Sequence, residues 1–313
     1  KLTSRAITLE PLKPNDFQQF ILQTTGQRLP LFGFQFFENI NASQAQAVGA
    51  MQTTNAFAPA EGTAVSPDYP LGAGDQLIIR AWGSIDVDVK VTIDRNGQIV
   101  IPKVGSVPMA GVKVSQSEAV IKQALAKNYK GFEVNVTLGQ LRAITVYVVG
   151  QANQPGTYNL NSLSTLVNAV FASGGPNTNG SMRQIELKRG GRTITTLDLY
   201  DFISKGDKSK DAALQPGDVI MIPPAGPRMA LVGATDHGAI YELKSGAKVK
   251  DVLALGGGVS AITSQQKALI ERIDPQGNQG MRGSNPNQAN RQVQNLALNS
   301  QGLELGLQDG DVL

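Results

Sequence analysis

Four aspartates occupy positions where a carboxylate could act as an acid, a base or a metal ligand. Asp75, Asp218 and Asp311 each follow a glycine in a recurring Leu-x-x-Gly-Asp pattern. Asp94, two residues before Asn96, opens a sequence like part of a calcium-binding loop, but the remaining ligands and the closing glutamate are missing. Aspartates in turns usually accept hydrogen bonds from nearby backbone N–H groups. We therefore interpret all four as turn residues and predict no metal site.

The single histidine, His237, lies beside Asp236 and is the one candidate for histidine-based catalysis. The sequence contains no G-x-S-x-G elbow, and two residues adjacent in sequence rarely face one site. The chain also has no cysteine, which excludes thiol catalysis, disulfides and zinc–thiolate sites. We interpret His237 as an exposed turn residue, and we predict no catalytic residue and no enzymatic activity.

A glycine run at Gly256–Ala261 fits a loose G-x-G-x-x-A pattern. A dinucleotide-binding loop needs a strand before its glycines and a helix that begins at them, because the helix N-terminus binds the pyrophosphate. Here the glycines follow a predicted helix. We predict no cofactor.

The charge balance argues against a nucleic-acid partner. Lysine and arginine total 28, aspartate and glutamate total 25, and the formal net charge is +3. A nucleic-acid-binding domain concentrates its basic residues more strongly. No stretch approaches the ~18 apolar residues of a membrane helix, and the first residues lack the apolar core of a signal peptide. We expect either a cytosolic chain or one that begins after a removed segment.

The first 66 residues are predicted to form an N-terminal arm and linker. Asn15 can cap a helix whose apolar residues have helical spacing, and Gly26 can end it. Six phenylalanines lie between Phe17 and Phe37, and we expect them to pack the arm onto the domain that follows. Residues 41–66 show no periodicity and indicate a linker or an irregular surface segment.

The next unit, residues 67–142, is predicted to be α+β. Ser115 and Glu118 indicate a capping box before a helix over Gln116–Tyr129. The predicted strands, read from alternating apolar residues, are Leu77–Trp82, Ile85–Ile93 and Phe132–Leu138.

An internal repeat fills the remainder, with predicted domains at residues 143–226 and 227–313. Each copy reads as a hairpin, a helix, Gly-Gly, a second hairpin, a Gly-Asp turn and a strand, which indicates a β-grasp fold. The second copy is ten residues longer, and the excess falls between Asp274 and Arg291, where we expect an exposed loop. A constant shift of 83 aligns Val148–Gly150 with Leu231–Gly233, Tyr158–Ser162 with Tyr241–Ser245, and Gly174–Gly175 with Gly257–Gly258.

These motifs resemble the outer-membrane polysaccharide export family. Residues 67–142 are similar to its polysaccharide export domain, and the two repeats are similar to the soluble-ligand-binding β-grasp (SLBB) modules that follow that domain. The predicted fold is therefore α+β, with an N-terminal arm, an α/β export domain and two tandem SLBB-like domains, the second truncated at its end. The motifs that carry the resemblance are Leu71–Leu77, Trp82-Gly83, Asp94–Gly97, Ile101-Pro102 and Gly111–Ser115.

The resemblance implies a periplasmic ring that is associated with the outer membrane and exports capsular or extracellular polysaccharide. The implied partners are the polysaccharide, further copies of the chain, and inner-membrane co-polymerase or polymerase machinery. The lipidated cysteine and the spanning helix found in many members are not in this sequence. We therefore expect either a truncated chain or one that relies on another protein for the membrane span.

The sequence leaves two alternatives open: a β-grasp module that binds a small soluble ligand or sugar, and an enzyme that acts on glycans through two carboxylates. We interpret the basic residues around the Gly190-Gly191 turn as a solvated hairpin tip. The alternative is that they contact an anionic polysaccharide or a neighbouring subunit. A similar contact is our hypothesis for the long loop of the second repeat. The candidate contact residues are Arg183, Lys188, Arg189, Arg192, Arg282 and Arg291.

Overall fold

The structure, a computed structural model, describes residues 13–37, 65–258, 267–273 and 291–313. Most of the predicted linker and of the long loop, including Arg282, lies outside these residues. None of the described helices is long and apolar enough to cross a bilayer. The helices are α1 Asp16–Thr25, α2 Val114–Leu125, α3 Leu166–Ala172, α4 Leu199–Lys205, α5 Val249–Leu255 and α6 Ser300–Leu303. The strands are β1 Gln76–Gly83, β2 Val87–Thr92, β3 Gln98–Ile101, β4 Gly105–Pro108, β5 Phe132–Leu138, β6 Ala143–Gly150, β7 Gly156–Asn161, β8 Ile185–Arg189, β9 Arg192–Leu197, β10 Val219–Ile222, β11 Arg228–Leu231, β12 Ala239–Glu242, β13 Lys267–Ile273 and β14 Arg291–Ala297.

The arm begins with α1, whose ends agree with the sequence prediction. The Asn15 side chain accepts a hydrogen bond from the Gln18 N–H (2.8 Å), and Gly26 ends the helix in the left-handed region, with φ of 70°. Glycine adopts that conformation without the steric penalty that a Cβ brings. Local sequence therefore determines both ends of this helix.

The export domain is a three-stranded antiparallel sheet in the order β2-β1-β5, with the β3–β4 hairpin and α2 beside it. Its core includes Leu77, Ile79, Ile121 and Leu125. The predicted capping box was wrong. Helix α2 begins at Val114 with Lys113 in the N-cap position, so Ser115 already lies inside the first turn.

The first SLBB unit is a mixed sheet in the order β7-β6-β10-β8-β9, in which β10 runs parallel to β6 and antiparallel to β8. The second unit repeats this arrangement. Val312 pairs in parallel with Ala230 of β11 and antiparallel with Glu271 of β13, so it takes the place of β10. Helices α3 and α5 occupy equivalent positions 83 residues apart. The structure therefore confirms the predicted repeat.

The expectation that the arm packs onto the export domain was wrong. Arm residues Ile21, Leu31, Phe34 and Phe37 belong to one apolar core that also contains both SLBB units, whereas the export domain has a separate core. The arm also extends the sheet of the second unit, because the Phe32 N–H donates to the Ile240 carbonyl (2.9 Å). Phe34 and Phe37 are buried against the SLBB units, whereas Phe36 stays 41% exposed. The arm therefore packs where apolar surface is available rather than on the domain that follows it in sequence.

Because the two cores are separate, we expect Phe37→Ala to destabilise the SLBB units and not the export domain. Phe37 is 2% exposed and packs against Phe171, so its truncation should destabilise the SLBB pair by about 3 kcal/mol. Native-state amide hydrogen exchange should show lost protection in β6–β12 and unchanged protection in β1–β5. Leu22→Ala, at a residue 46% exposed, is the control. Equal loss of protection in both regions would contradict the separation of the cores.

Candidate functional site

The three Gly-Asp turns are built alike, around a fully buried aspartate and an arginine. In the first SLBB unit, Arg189 Nε and Nη2 donate to the two carboxylate oxygens of Asp218 (both 2.8 Å). In the second, Arg272 donates in the same way to Asp311 (2.9 and 2.7 Å). The N–H group three residues before each aspartate donates to the same carboxylate. These pairs hold the turn before the central strand.

The third turn lies between the export domain and the first SLBB unit. Asp75 accepts hydrogen bonds from Arg142 Nη1 (2.7 Å), from the Arg142 N–H (2.8 Å) and from the Tyr69 hydroxyl (3.0 Å). The Tyr69 hydroxyl also lies 2.6 Å from Ser162 Oγ of the first unit, and burial raises the pKa of Tyr69 to about 12. Tyr69 therefore links the turn at Asp75 to the first SLBB unit.

These contacts confirm the interpretation of the aspartates as turn residues. Asp94 likewise accepts hydrogen bonds from the Asn96 and Gln98 N–H groups (2.8 and 2.9 Å). Among the described residues, no group of three His, Cys, Asp or Glu side chains could hold a metal ion. His237 is exposed in a turn, as predicted, and Gly256 follows the end of α5.

A cleft of about 550 Å³ lies between the two SLBB units. The first unit contributes Arg183 and one side of α4, and the second contributes the segment from Glu242 to Leu255. Pockets at domain interfaces are common ligand sites. This cleft is the candidate functional site of the SLBB pair.

A network of ion pairs crosses the cleft. Lys244 of the second unit contacts Asp198 (3.0 Å) and Asp201 (2.8 Å) of the first, and Lys205 also contacts Asp201 (2.9 Å). Arg183 pairs with Asp198 (3.1 Å), and its guanidinium lies 3.6 Å from the centre of the Tyr200 ring. The cleft thus presents donors and acceptors whose positions are fixed by their partners.

Lysine neighbours lower the pKa of one carboxyl group at this cleft, that of Asp201. Hydrogen bonds from Lys244 and then Lys205 lower the pKa of Asp201 to about 2, and the bond to Asp201 raises the pKa of Lys244. A glycosidase acid needs a carboxyl group whose pKa is raised. Asp201 is shifted in the opposite direction.

The predicted basic contacts do not gather at one site. Arg183 lines the cleft, and Arg189 is held by Asp218. Arg291 pairs with Glu271 and lies 4.5 Å from the centre of the Phe20 ring. Lys188 pairs with Glu186 (3.0 Å), and Arg192 is exposed at the hairpin turn. Contact of these residues with polymer or subunit stays a prediction.

The two SLBB sheets differ in what covers the face opposite α3 and α5. Ala230, Ile240 and Glu242 of the second unit are at most 4% exposed, because the arm and the first unit cover them. In the first unit, Tyr147 is 43% exposed at the position equivalent to Ala230, and Val149 beside it is 38% exposed. We call this surface the open SLBB face. It also includes Val219 and Met221 of the neighbouring strand β10.

Comparison with known proteins accounts for this succession of domains. Residues 63–139 match the family described as polysaccharide biosynthesis/export protein, and residues 145–222 match the SLBB domain. Two Escherichia coli proteins, each named polysialic acid transport protein KpsD, are 30% identical to the chain over 249 residues, which is 77% of this chain and 42% of theirs. The chain belongs to the outer-membrane polysaccharide export protein family.

Another relative within this export family is the EPS I polysaccharide export outer membrane protein EpsA of Ralstonia solanacearum. It is 27% identical over 179 residues, which cover 56% of this chain and 47% of EpsA. The chain thus spans less than half the length of these curated relatives.

The cleft could not be found from the sequence, because its two walls come from segments that are far apart in the chain; Asp201 and Lys244 are 43 residues apart. Asp201 and Lys244 carry no motif, and their proximity depends on how the second unit docks on the first. The Arg189–Asp218 pair, by contrast, could have been found from the repeat in the sequence. Arg189 and Arg272 are 83 residues apart, the spacing of the repeat itself.

Lys244→Met should raise the pKa of Asp201 from about 2 toward its ordinary value of 3.8. The Asp201 carboxylate is stabilised by Lys244, so the stability that this pair contributes is fully present above pH 3.8. It is lost as the pH falls through about 2. NMR titration of the Asp201 carboxyl carbon measures the shift, with Lys188→Met, at a pair outside the cleft, as the control. An Asp201 pKa unchanged by Lys244→Met would contradict the assigned ion pair.

Proposed function

We propose that the chain is the periplasmic part of a homo-oligomeric ring that exports capsular or extracellular polysaccharide at the outer membrane. Support comes from the export domain followed by SLBB units, and from relatives whose names describe transport of polysialic acid and of EPS I polysaccharide. Inner-membrane polymerase or co-polymerase machinery is the partner that would deliver the polymer.

The open SLBB face is the observation that best supports the formation of a ring. A sheet face with Tyr147 and Val149 half exposed loses favourable burial when it stays in water. The equivalent face of the second unit is buried by protein of the same chain, so a face of this geometry accepts protein contacts. A ring needs two different complementary surfaces on each subunit, and the open SLBB face supplies one.

The cleft supports a second candidate function, the binding of a small sugar or another soluble ligand between the SLBB units. Lys244, Asp201 and Arg183 offer fixed charges within a volume that suits a small molecule. A ligand bound there would contact both units and stabilise their docked arrangement.

Replacement of Tyr147 and Val149 by aspartate should abolish self-association of the full-length, membrane-extracted protein. Two charges on the face would have to be desolvated on contact, which costs several kcal/mol. Analytical ultracentrifugation measures the assembly, and complementation of a deletion strain measures polysaccharide export. Both should be lost together.

Leu22→Asp is the matched control, because Leu22 is 46% exposed on the arm and does not belong to the open SLBB face. It should leave assembly and export intact. A ring that persists in the Tyr147/Val149 variant would show that subunits meet elsewhere, and a wild-type protein that is strictly monomeric would refute the ring.

The cleft is tested separately with Ser245→Trp, which fills its volume at a lining residue. If the SLBB pair acts as a ligand-binding module, export should fall while the ring still forms. Unchanged export would argue against a ligand in the cleft.

A further inference from the structure

The outer face of the export sheet carries the single tryptophan of the chain. Trp82 lies on β1 and is 54% exposed, whereas its neighbours Ala81 and Ile79 point into the core at 2% and 0% exposure. Large aromatic rings are usually buried in folded proteins. An exposed tryptophan on a regular strand therefore calls for an explanation.

The side chains around Trp82 on this face are polar. Two residues before it on β1, Arg80 faces the same side and forms an exposed ion pair with Asp88 of β2 (3.6 Å). On β5, Glu133 is opposite Trp82 and forms an ion pair with Lys122 of α2 (3.2 Å), and Asn135 is opposite Arg80. One broad ring is thus flanked by side chains that donate or accept hydrogen bonds. We call this surface the Trp82 face.

The backbone at the end of β1 is fixed by its packing on the segment before β5. Gly83, directly after Trp82, has φ of 113°, and a Cβ there would lie 2.6 Å from the Gly131 carbonyl oxygen. The Ser84 N–H donates to the same carbonyl (3.1 Å). The backbone beside Trp82 is therefore packed against the start of β5, so the ring projects from a fixed strand rather than from a loop.

We propose that the Trp82 face binds a sugar residue of the transported polysaccharide, an inference that rests on the proposed function. A pyranose ring has an apolar face of C–H groups and a rim of hydroxyls. The indole stacks on the C–H face, since its negative π surface attracts the C–H hydrogens. Arg80, Glu133 and Asn135 hydrogen-bond to the hydroxyls, and Arg80 also suits an acidic sugar.

A saccharide fits the Trp82 face better than a second protein does. Aspartate and glutamate are depleted at protein interfaces, whereas Asp88 and Glu133 lie on the same face as this ring. On the open SLBB face, by contrast, Tyr147 lies beside Val219 and Val149 beside Met221. One exposed ring with polar neighbours gives a weak contact, which allows a polymer to move from one subunit to the next.

The test uses the full chain, held at a concentration where it is monomeric, and the extracellular polysaccharide of its source strain hydrolysed to short oligosaccharides. Because Trp82 is the one tryptophan, tryptophan emission reports this face alone. We expect a saturable emission change on titration. Calorimetry should show that Trp82→Ala weakens binding about tenfold, while Trp82→Phe keeps most of it. Val100→Ala, at an exposed residue on β3 of the same domain, should bind like the wild type.

If calorimetry shows binding but the tryptophan emission does not change, sugar binding at the Trp82 face is overturned. The proposed role in polysaccharide export is not affected by that result. No binding of the oligosaccharides would also overturn it, and the proposed function would still be judged by export in the deletion strain. An emission change that appears on concentrating the protein without sugar would overturn the proposal too, because it would make Trp82 a subunit contact.

Discussion

Burial of the Glu242 carboxylate is the constraint on which the SLBB pair depends. Glu242 is 4% exposed and accepts hydrogen bonds from Ser181 Oγ (2.7 Å) and from the Met182 and Gly226 N–H groups (2.8 and 2.9 Å). A buried carboxylate without such donors would be strongly destabilising, so the two units can dock in one arrangement that supplies them. That arrangement forms the cleft and leaves the edge of β12 to the arm.

Two exposed surfaces then have different chemistry and suit different partners. The open SLBB face is apolar at Tyr147 and Val149, and its equivalent in the second unit is already a protein contact. The Trp82 face is polar around one ring and suits a hydrated polymer. A conduit needs both strong contacts between subunits and weak contacts to its cargo. In our proposal these two kinds of contact belong to different domains.

Most local signals in the sequence predicted local structure correctly, although the Ser115–Glu118 capping box did not. The ends of α1, the Gly-Asp turns and the repeated order of elements all follow from residues close together in the chain, such as Asn15 and Gly26. Interactions between distant segments were not predictable in this way. The arm follows apolar surface on the SLBB units, and Lys244 meets Asp201 only after those units dock. Arg189 was predicted as a surface contact because its partner, Asp218, lies 29 residues away.

The most direct test of the account is electron cryo-microscopy of the full-length protein after gentle extraction from the membrane. The account predicts a closed ring in which Tyr147 and Val149 of each subunit are covered by a neighbouring subunit and Trp82 faces the lumen. A monomer, or a ring with the open SLBB face in solvent and Trp82 buried between subunits, would contradict it.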